Sequence, residues 1–147
     1  MEYILRDAEY EDREFIYEIK KKYIYQYVEM LFGWDEEYQR SDFESDFVIN
    51  KFQIISADDK SIGFIQTHEN EYRIYIAEIH LIPEYQGQGI GSIIIKSINE
   101  RALKGGKYVS AQCYTSNTRA QKLYESLGFA ISESQSTDTH YVFQYRR

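Results

Sequence analysis

The stretch Pro83-Glu84-Tyr85-Gln86-Gly87-Gln88-Gly89-Ile90-Gly91-Ser92 decides how this chain is read, because it joins two segments of different hydrophobic period. Before it, Tyr72 to Leu81 is rich in Ile and Tyr and reads as a strand. After it, Ile90, Ile94, Ile98, Arg101 and Ala102 recur at helical spacing until Gly105 and Gly106 close the run. The first-turn N–H groups of that helix have no intrahelical acceptor. Glycines at 87, 89 and 91 remove the side chains that would hold a ligand away from them. Together with the helix dipole, these groups predict a seat for a diphosphate.

Working outward, Tyr3 to Arg6 reads as a short strand, and Phe15, Ile16, Ile19, Tyr23 and Tyr27 mark an amphipathic helix from Glu11 onward. Gly33 interrupts that helix, and Asp35 is placed to cap a second one running through Tyr38 and Asp42 toward Phe47. Val48 to Ser56, Ser61 to His68 and Tyr72 to Leu81 then read as successive strands of an antiparallel meander, with Asp58, Asp59 and Asn70 in the connections. Beyond the third helix come a strand at Tyr108 to Tyr114, a fourth helix from Thr118 to Leu127 ended by Gly128, and one or two closing strands that include His140 to Tyr145. Strands in a run beside helices in mixed order imply an α+β or mixed α/β sheet, not a regular doubly wound one.

With 147 residues, a single proline and no low-complexity stretch, one domain over 1–147 is the expectation. A net charge of −7 argues against nucleic acid, whose binding needs a basic face. Cys113 is the only cysteine, which excludes an internal disulfide or a cysteine-based zinc site and fits a reducing, cytoplasmic setting. No metal is expected. No secretory signal is visible at Met1 to Arg6, and no apolar run reaches the roughly 20 residues a membrane span needs.

The glycine turn is not a dinucleotide fingerprint, because Ser92 stands where the last glycine is needed, and it is not a P-loop, because no lysine occurs before Lys96. What remains is Gln86-x-x-Gly89-x-Gly91 after a strand. Downstream, Asn117, Ala120, Leu123-Tyr124 and Gly128-Phe129 form a second pattern. Ala120, Leu123, Tyr124 and Leu127 share one helix face, and Asn117 or Thr118 is placed to cap its start. In these two motifs, over roughly Tyr72 to Phe129, the chain resembles the GNAT superfamily of acyl-CoA-dependent N-acetyltransferases.

That resemblance implies a central, mostly antiparallel sheet of six to seven strands flanked by about four helices, and transfer of an acetyl group from acetyl-CoA to a primary amine of a small molecule or peptide. It implies that Gln86, Gly87, Gln88, Gly89, Ile90 and Gly91 hold the pyrophosphate. Backbone groups of Ile79, His80 and Leu81 would bond the pantetheine arm as an added strand does, and Asn117 would help place it. Read from the residues alone, Tyr124 is one of 15 tyrosines and a core position; the resemblance implies that it protonates the departing thiolate. A homodimer is admitted as an assembly.

Two departures from the family pattern stand out. Positions 87 and 88 are Gly and Gln, so no basic side chain assists the phosphates, and Gln112 stands where some relatives carry a glutamate. Glu78, on the strand leading into the glycine turn, is then the candidate base for the amine, with a salt-bridged strand residue as the alternative; strand alternation would put it on the face of His80. A covalent route through Cys113 has no adjoining base. Tyr27, Trp34, Asp35, Glu36 and Glu37 could form a rim for a cationic amine or simply a helix start suited to its dipole. The rival functions are a non-catalytic acyl-CoA sensor and a plain interaction domain.

Overall fold

The computed structural model describes residues 2–47 and 51–145. In chain order these form β1 (Ile4–Asp7), α1 (Arg13–Phe32), α2 (Glu36–Asp46), β2 (Phe52–Ala57), β3 (Lys60–Glu69), β4 (Arg73–Leu81), α3 (Ile90–Lys104), β5 (Tyr108–Tyr114), α4 (Thr118–Ser126), β6 (Ala130–Ile131) and β7 (His140–Tyr145). The strands make one seven-stranded sheet in the order β1-β2-β3-β4-β5-β7-β6. The β4–β5 pair is parallel, while β1–β2, β5–β7 and β6–β7 are antiparallel. This is the mixed α/β sheet expected from the element order. The meander's first strand begins at Phe52, and Val48, where the sequence predicted its start, lies outside the described residues.

The chain condenses into two compact units, one of residues up to Ile65 with Ile79–Gln86, the other of Gln66–Glu78 with residues from Gly87 onward. In the first, the apolar face of α1 closes over β2 and β3, burying Ile16, Tyr17 and Ile19 with Phe43, Phe52, Ile54 and Phe64. Gly33 ends α1 at a positive φ of 79°, and Asp35 Oδ1 then accepts from the Tyr38 N–H at 3.0 Å to start α2, as its position predicted. Asp58 and Asp59 both take positive φ, 53° and 60°, in the turn between β2 and β3. Two-residue turns with both φ positive favour Asn, Asp and Gly, whose short or absent side chains tolerate that backbone. At Gly63 a Cβ would lie 2.1 Å from the His80 carbonyl oxygen, so only glycine lets β3 approach β4 there.

In the second unit the stripe of α3 buries Ile90, Ile94, Ile95, Ile98, Asn99 and Ala102. Arg101, which the helical spacing grouped with that stripe, turns outward instead. Its guanidinium donates to Glu69 at 2.8 Å, and Lys107 donates to the other carboxylate oxygen at 2.7 Å. A guanidinium is too costly to bury without a desolvated partner, so the stripe passes to Ile95 and Asn99. β5 pairs along its length with β7, from Val109↔Tyr145 to Tyr114↔His140.

Candidate functional site

Pro83–Tyr85 forms a single 3-10 turn, and the chain then enters Gly87 and Gly89 at φ 74° and 85°. Other L-residues cost about 1–2 kcal/mol there, which accounts for glycine at both. A Cβ built on Gly87, Gly89 or Gly91 meets nothing within 4 Å, so space lies open over the turn. α3 starts with no side-chain cap and no acid in its first turn, and its first intrahelical bond is Ile93 N–H to Gly89 C=O at 3.0 Å. The N–H groups before Ile93 therefore have no intrahelical acceptor, beside an opening that no side chain fills. This arrangement suits a diphosphate held by backbone alone.

Ile79, His80 and Leu81, the expected pantetheine contacts, form the last turn of β4 within the first unit. The His80 ring stacks on Tyr23 of α1, with centroids 5.4 Å apart and planes at 6°, and tilts against Phe64 at 5.4 Å. Gln86 does not extend away from the protein. Its Nε2 donates to the Tyr23 hydroxyl at 2.8 Å and to the Leu81 carbonyl at 2.9 Å.

Tyr124 is 4% exposed, packed against Phe129 and Phe143 with ring centroids 5.3 and 5.6 Å away. Burial first, then the neighbouring Cys113 and Tyr75, push its pKa upward, so the phenol keeps its proton. Cys113 is buried as well, and burial pushes its thiol up to about 11, which leaves it protonated and a poor nucleophile. Asn117 caps α4, its Oδ1 accepting from the Ala120 N–H at 3.1 Å.

Glu78 is half-buried in the second unit, and its charge helps raise the pKa of Tyr75 and of Tyr114, in both cases after burial. The parallel β4–β5 ladder runs from Arg73↔Tyr108 to Ile76↔Ala111 and stops short of Glu78, while β5 continues to Tyr114. A strand edge that leaves its ladder exposes backbone groups that an added chain can bond. Tyr114 in turn packs on His140 of β7 at 4.3 Å between ring centroids, and the His140 Nδ1 lies 2.9 Å from Thr139 Oγ1. Burial lowers the His140 pKa.

The second unit thus brings together Glu78, Tyr75 and Tyr114, and separately Tyr124 and Cys113; the first brings together His80, Leu81, Gln86 and Tyr23. Tyr23, Tyr75, Tyr114 and His140 carried no signal in the sequence as parts of a site, because their partners lie far away in the chain. Of the acidic and aromatic rim, Asp35 acts as the cap of α2. Glu36 accepts from Tyr17 at 3.0 Å and Trp34 at 3.1 Å and pairs with Lys21 at 3.0 Å. That carboxylate is a latch between α1 and α2, the helix-start alternative to an amine-binding rim. Among the described residues no group of three or more His, Cys, Asp or Glu is arranged to hold a metal, and no helix is long and apolar enough to cross a membrane.

The profile of the acetyltransferase (GNAT) family matches residues 9–129. The chain is similar to thialysine N-epsilon-acetyltransferases, with 48% identity over 56 residues to that of Bos taurus and 42% over 66 residues to that of Sus scrofa. Those stretches cover 37% and 44% of this chain and 33% and 39% of the relatives, so the match spans a little over a third of their length. Among solved structures, PaiA N-acetyltransferase from Thermoplasma acidophilum in complex with coenzyme A has a TM-score of 0.76 at 18% identity, with both chains fully covered. Arabidopsis thaliana Naa50 in complex with the bisubstrate analogue CoA-Ac-MVNAL has a TM-score of 0.69 at 16% identity, again over both full chains. At these identities the likeness is one of fold.

Proposed function

The chain belongs to the acetyltransferase (GNAT) family, and from that premise we propose that it transfers an acetyl group from acetyl-CoA to a primary amine by direct attack. The observation that carries this function is the start of α3, where two glycines at positive φ leave an uncapped helix N-terminus under open space. Amide groups from Gly87 to Gly91 hold the diphosphate, and backbone groups of Ile79, His80 and Leu81 receive the pantetheine arm.

Acetyl-CoA supplies the thioester carbonyl. The amine nitrogen bonds to that carbon, the C–S bond breaks, and the thiolate takes the Tyr124 proton. The raised pKa of Tyr124 serves this role, since a phenol held neutral is ready to donate. The proton lost by the amine passes to Glu78, directly or through water. The similarity to thialysine N-epsilon-acetyltransferases makes a side-chain-like ε-amine the first acceptor to try. A reducing, cytoplasmic setting suits the buried free thiol of Cys113.

The test is a titration with acetyl-CoA followed by free-thiol release over thialysine, polyamines, amino acids and short peptides. Tyr124→Phe should lower kcat by about a hundredfold while leaving acetyl-CoA affinity nearly unchanged. Equal turnover in the two proteins removes Tyr124 from the chemistry. Binding without turnover on every acceptor replaces the transferase with a sensor, and no binding at all leaves an interaction domain.

A further inference from the structure

We propose that Gln86 is a positioning residue for acetyl-CoA, which holds the entry to the glycine turn with its side chain and does not touch the coenzyme; this rests on the transferase function above. Both hydrogens of its amide are taken, one by the Tyr23 hydroxyl at 2.8 Å and one by the Leu81 carbonyl at 2.9 Å. One acceptor belongs to α1 and the other to the last residue of β4. The residue immediately before Gly87 is thereby tied to the end of the strand that precedes it and to a helix more than sixty positions earlier in the chain.

The Tyr23 end of this strap is itself held, because its ring lies flat on His80, which leans on Phe64. A second tie fixes the preceding residue, for the Tyr85 hydroxyl donates to Asp58 Oδ2 at 2.8 Å, at the tip of the β2–β3 turn. The direction in which the chain enters Gly87 is therefore set by side chains. That matters more here than in a loop carrying a basic residue, since positions 87 and 88 are Gly and Gln. A diphosphate held by backbone N–H groups depends on their angle, and such bonds weaken steeply away from linearity. Pre-setting that angle lowers the ordering cost of binding.

The test uses Gln86→Leu and Tyr23→Phe, alone and combined, with acetyl-CoA affinity measured by calorimetry, kcat and KM by thiol release, and Tm as a check on folding. Each single change should weaken acetyl-CoA binding about tenfold, as loss of one or two hydrogen bonds predicts, with kcat within about twofold. The double variant should bind no worse than Gln86→Leu, because both changes break the same strap. Wild-type affinity in Tyr23→Phe would mean that Gln86 acts without its strap, and losses that add would mean that the two residues act separately; either overturns the proposal. Tyr23→Phe removes a single hydroxyl and keeps the stacked ring, so it carries the test should Gln86→Leu not fold. Wild-type protein that fails to bind acetyl-CoA overturns the transferase function and the strap together, whereas binding wild type with indifferent variants overturns only the strap.

Discussion

At the start of α2, Asp35 turns its carboxylate back onto the Tyr38 N–H at 3.0 Å, and Glu36 and Glu37 add negative charge to the first turn. At the start of α3, Gly89 has no side chain to turn back, and Ile90, Gly91 and Ser92 bring no acid. Both helices begin with the same set of unpartnered N–H groups and the same positive end of a dipole. The first is satisfied from within the chain and the second is left for something outside it. α4 stands with α2, since Asn117 caps it. A chain that caps two helix starts with its own side chains and surrounds the third with glycine has reserved that third one.

The comparison breaks most directly if α3 is made to resemble α2. Gly91→Asp places a carboxylate in the first turn of α3, where a Cβ meets nothing and φ is not positive. Acetyl-CoA affinity should fall roughly a hundredfold by repulsion and by competition for the same N–H groups, read by calorimetry. Thermal stability should hold or rise by about 0.3–1 kcal/mol, since the new charge suits the dipole. Unchanged affinity would sink the phosphate assignment for this turn.

A medium effect sharpens the contrast from the other side. Asp35→Ala and Asn117→Ala should each cost about 1 kcal/mol in urea denaturation, the usual worth of an N-cap. Only Asn117→Ala should also weaken acetyl-CoA binding, by a few fold, as the placement of the pantetheine by that residue requires. Should both variants bind as wild type does, Asn117 is a cap and nothing more.

The smallest effect lies at the far end of α3, where charge is met inside the protein. Arg101 and then Lys107 hold the Glu69 carboxyl below its ordinary 4.5. A carboxyl with a lowered folded pKa stabilises fully above its unfolded value, and the contribution fades as pH falls through the folded value. Glu69 is 38% exposed, so Glu69→Gln should cost only a few tenths of a kcal/mol at pH 7. Its melting curves should converge with those of wild type as the pH drops below about 4.5. A gap that persists into strong acid would show that packing, not charge, is at work there.

Much of the fold was legible because the signals were local. The 3.6-residue period gave α1 and α3, Asp35 and Gly33 marked the α1–α2 corner, and β5 and β7 fell on the segments read as strands. Arg101 misled, because periodicity counts positions and does not weigh the cost of burying a guanidinium against an exposed partner such as Glu69. β6 has only two residues, too short for any alternation to register. In the candidate site, the glycine turn and the Asn117 cap could be seen in the residues themselves. The resemblance alone gave Tyr124 a part in the chemistry, and its burial in the structure is compatible with a core tyrosine or a neutral proton donor.

The sequence by itself determined where helices start and stop, which of those starts carries glycine instead of a capping side chain, and which residue types stand beside it. Each of these follows from neighbours within one or two turns of chain, where backbone geometry translates spacing directly into position. Only the tertiary structure decided that Gln86 binds Tyr23, that Gly63 makes room for the His80 carbonyl, and that Tyr114 lies on His140. Those meetings depend on strand register and on packing between residues far apart in the chain, and a one-residue change of register would send each side chain to the other face while leaving every local pattern intact.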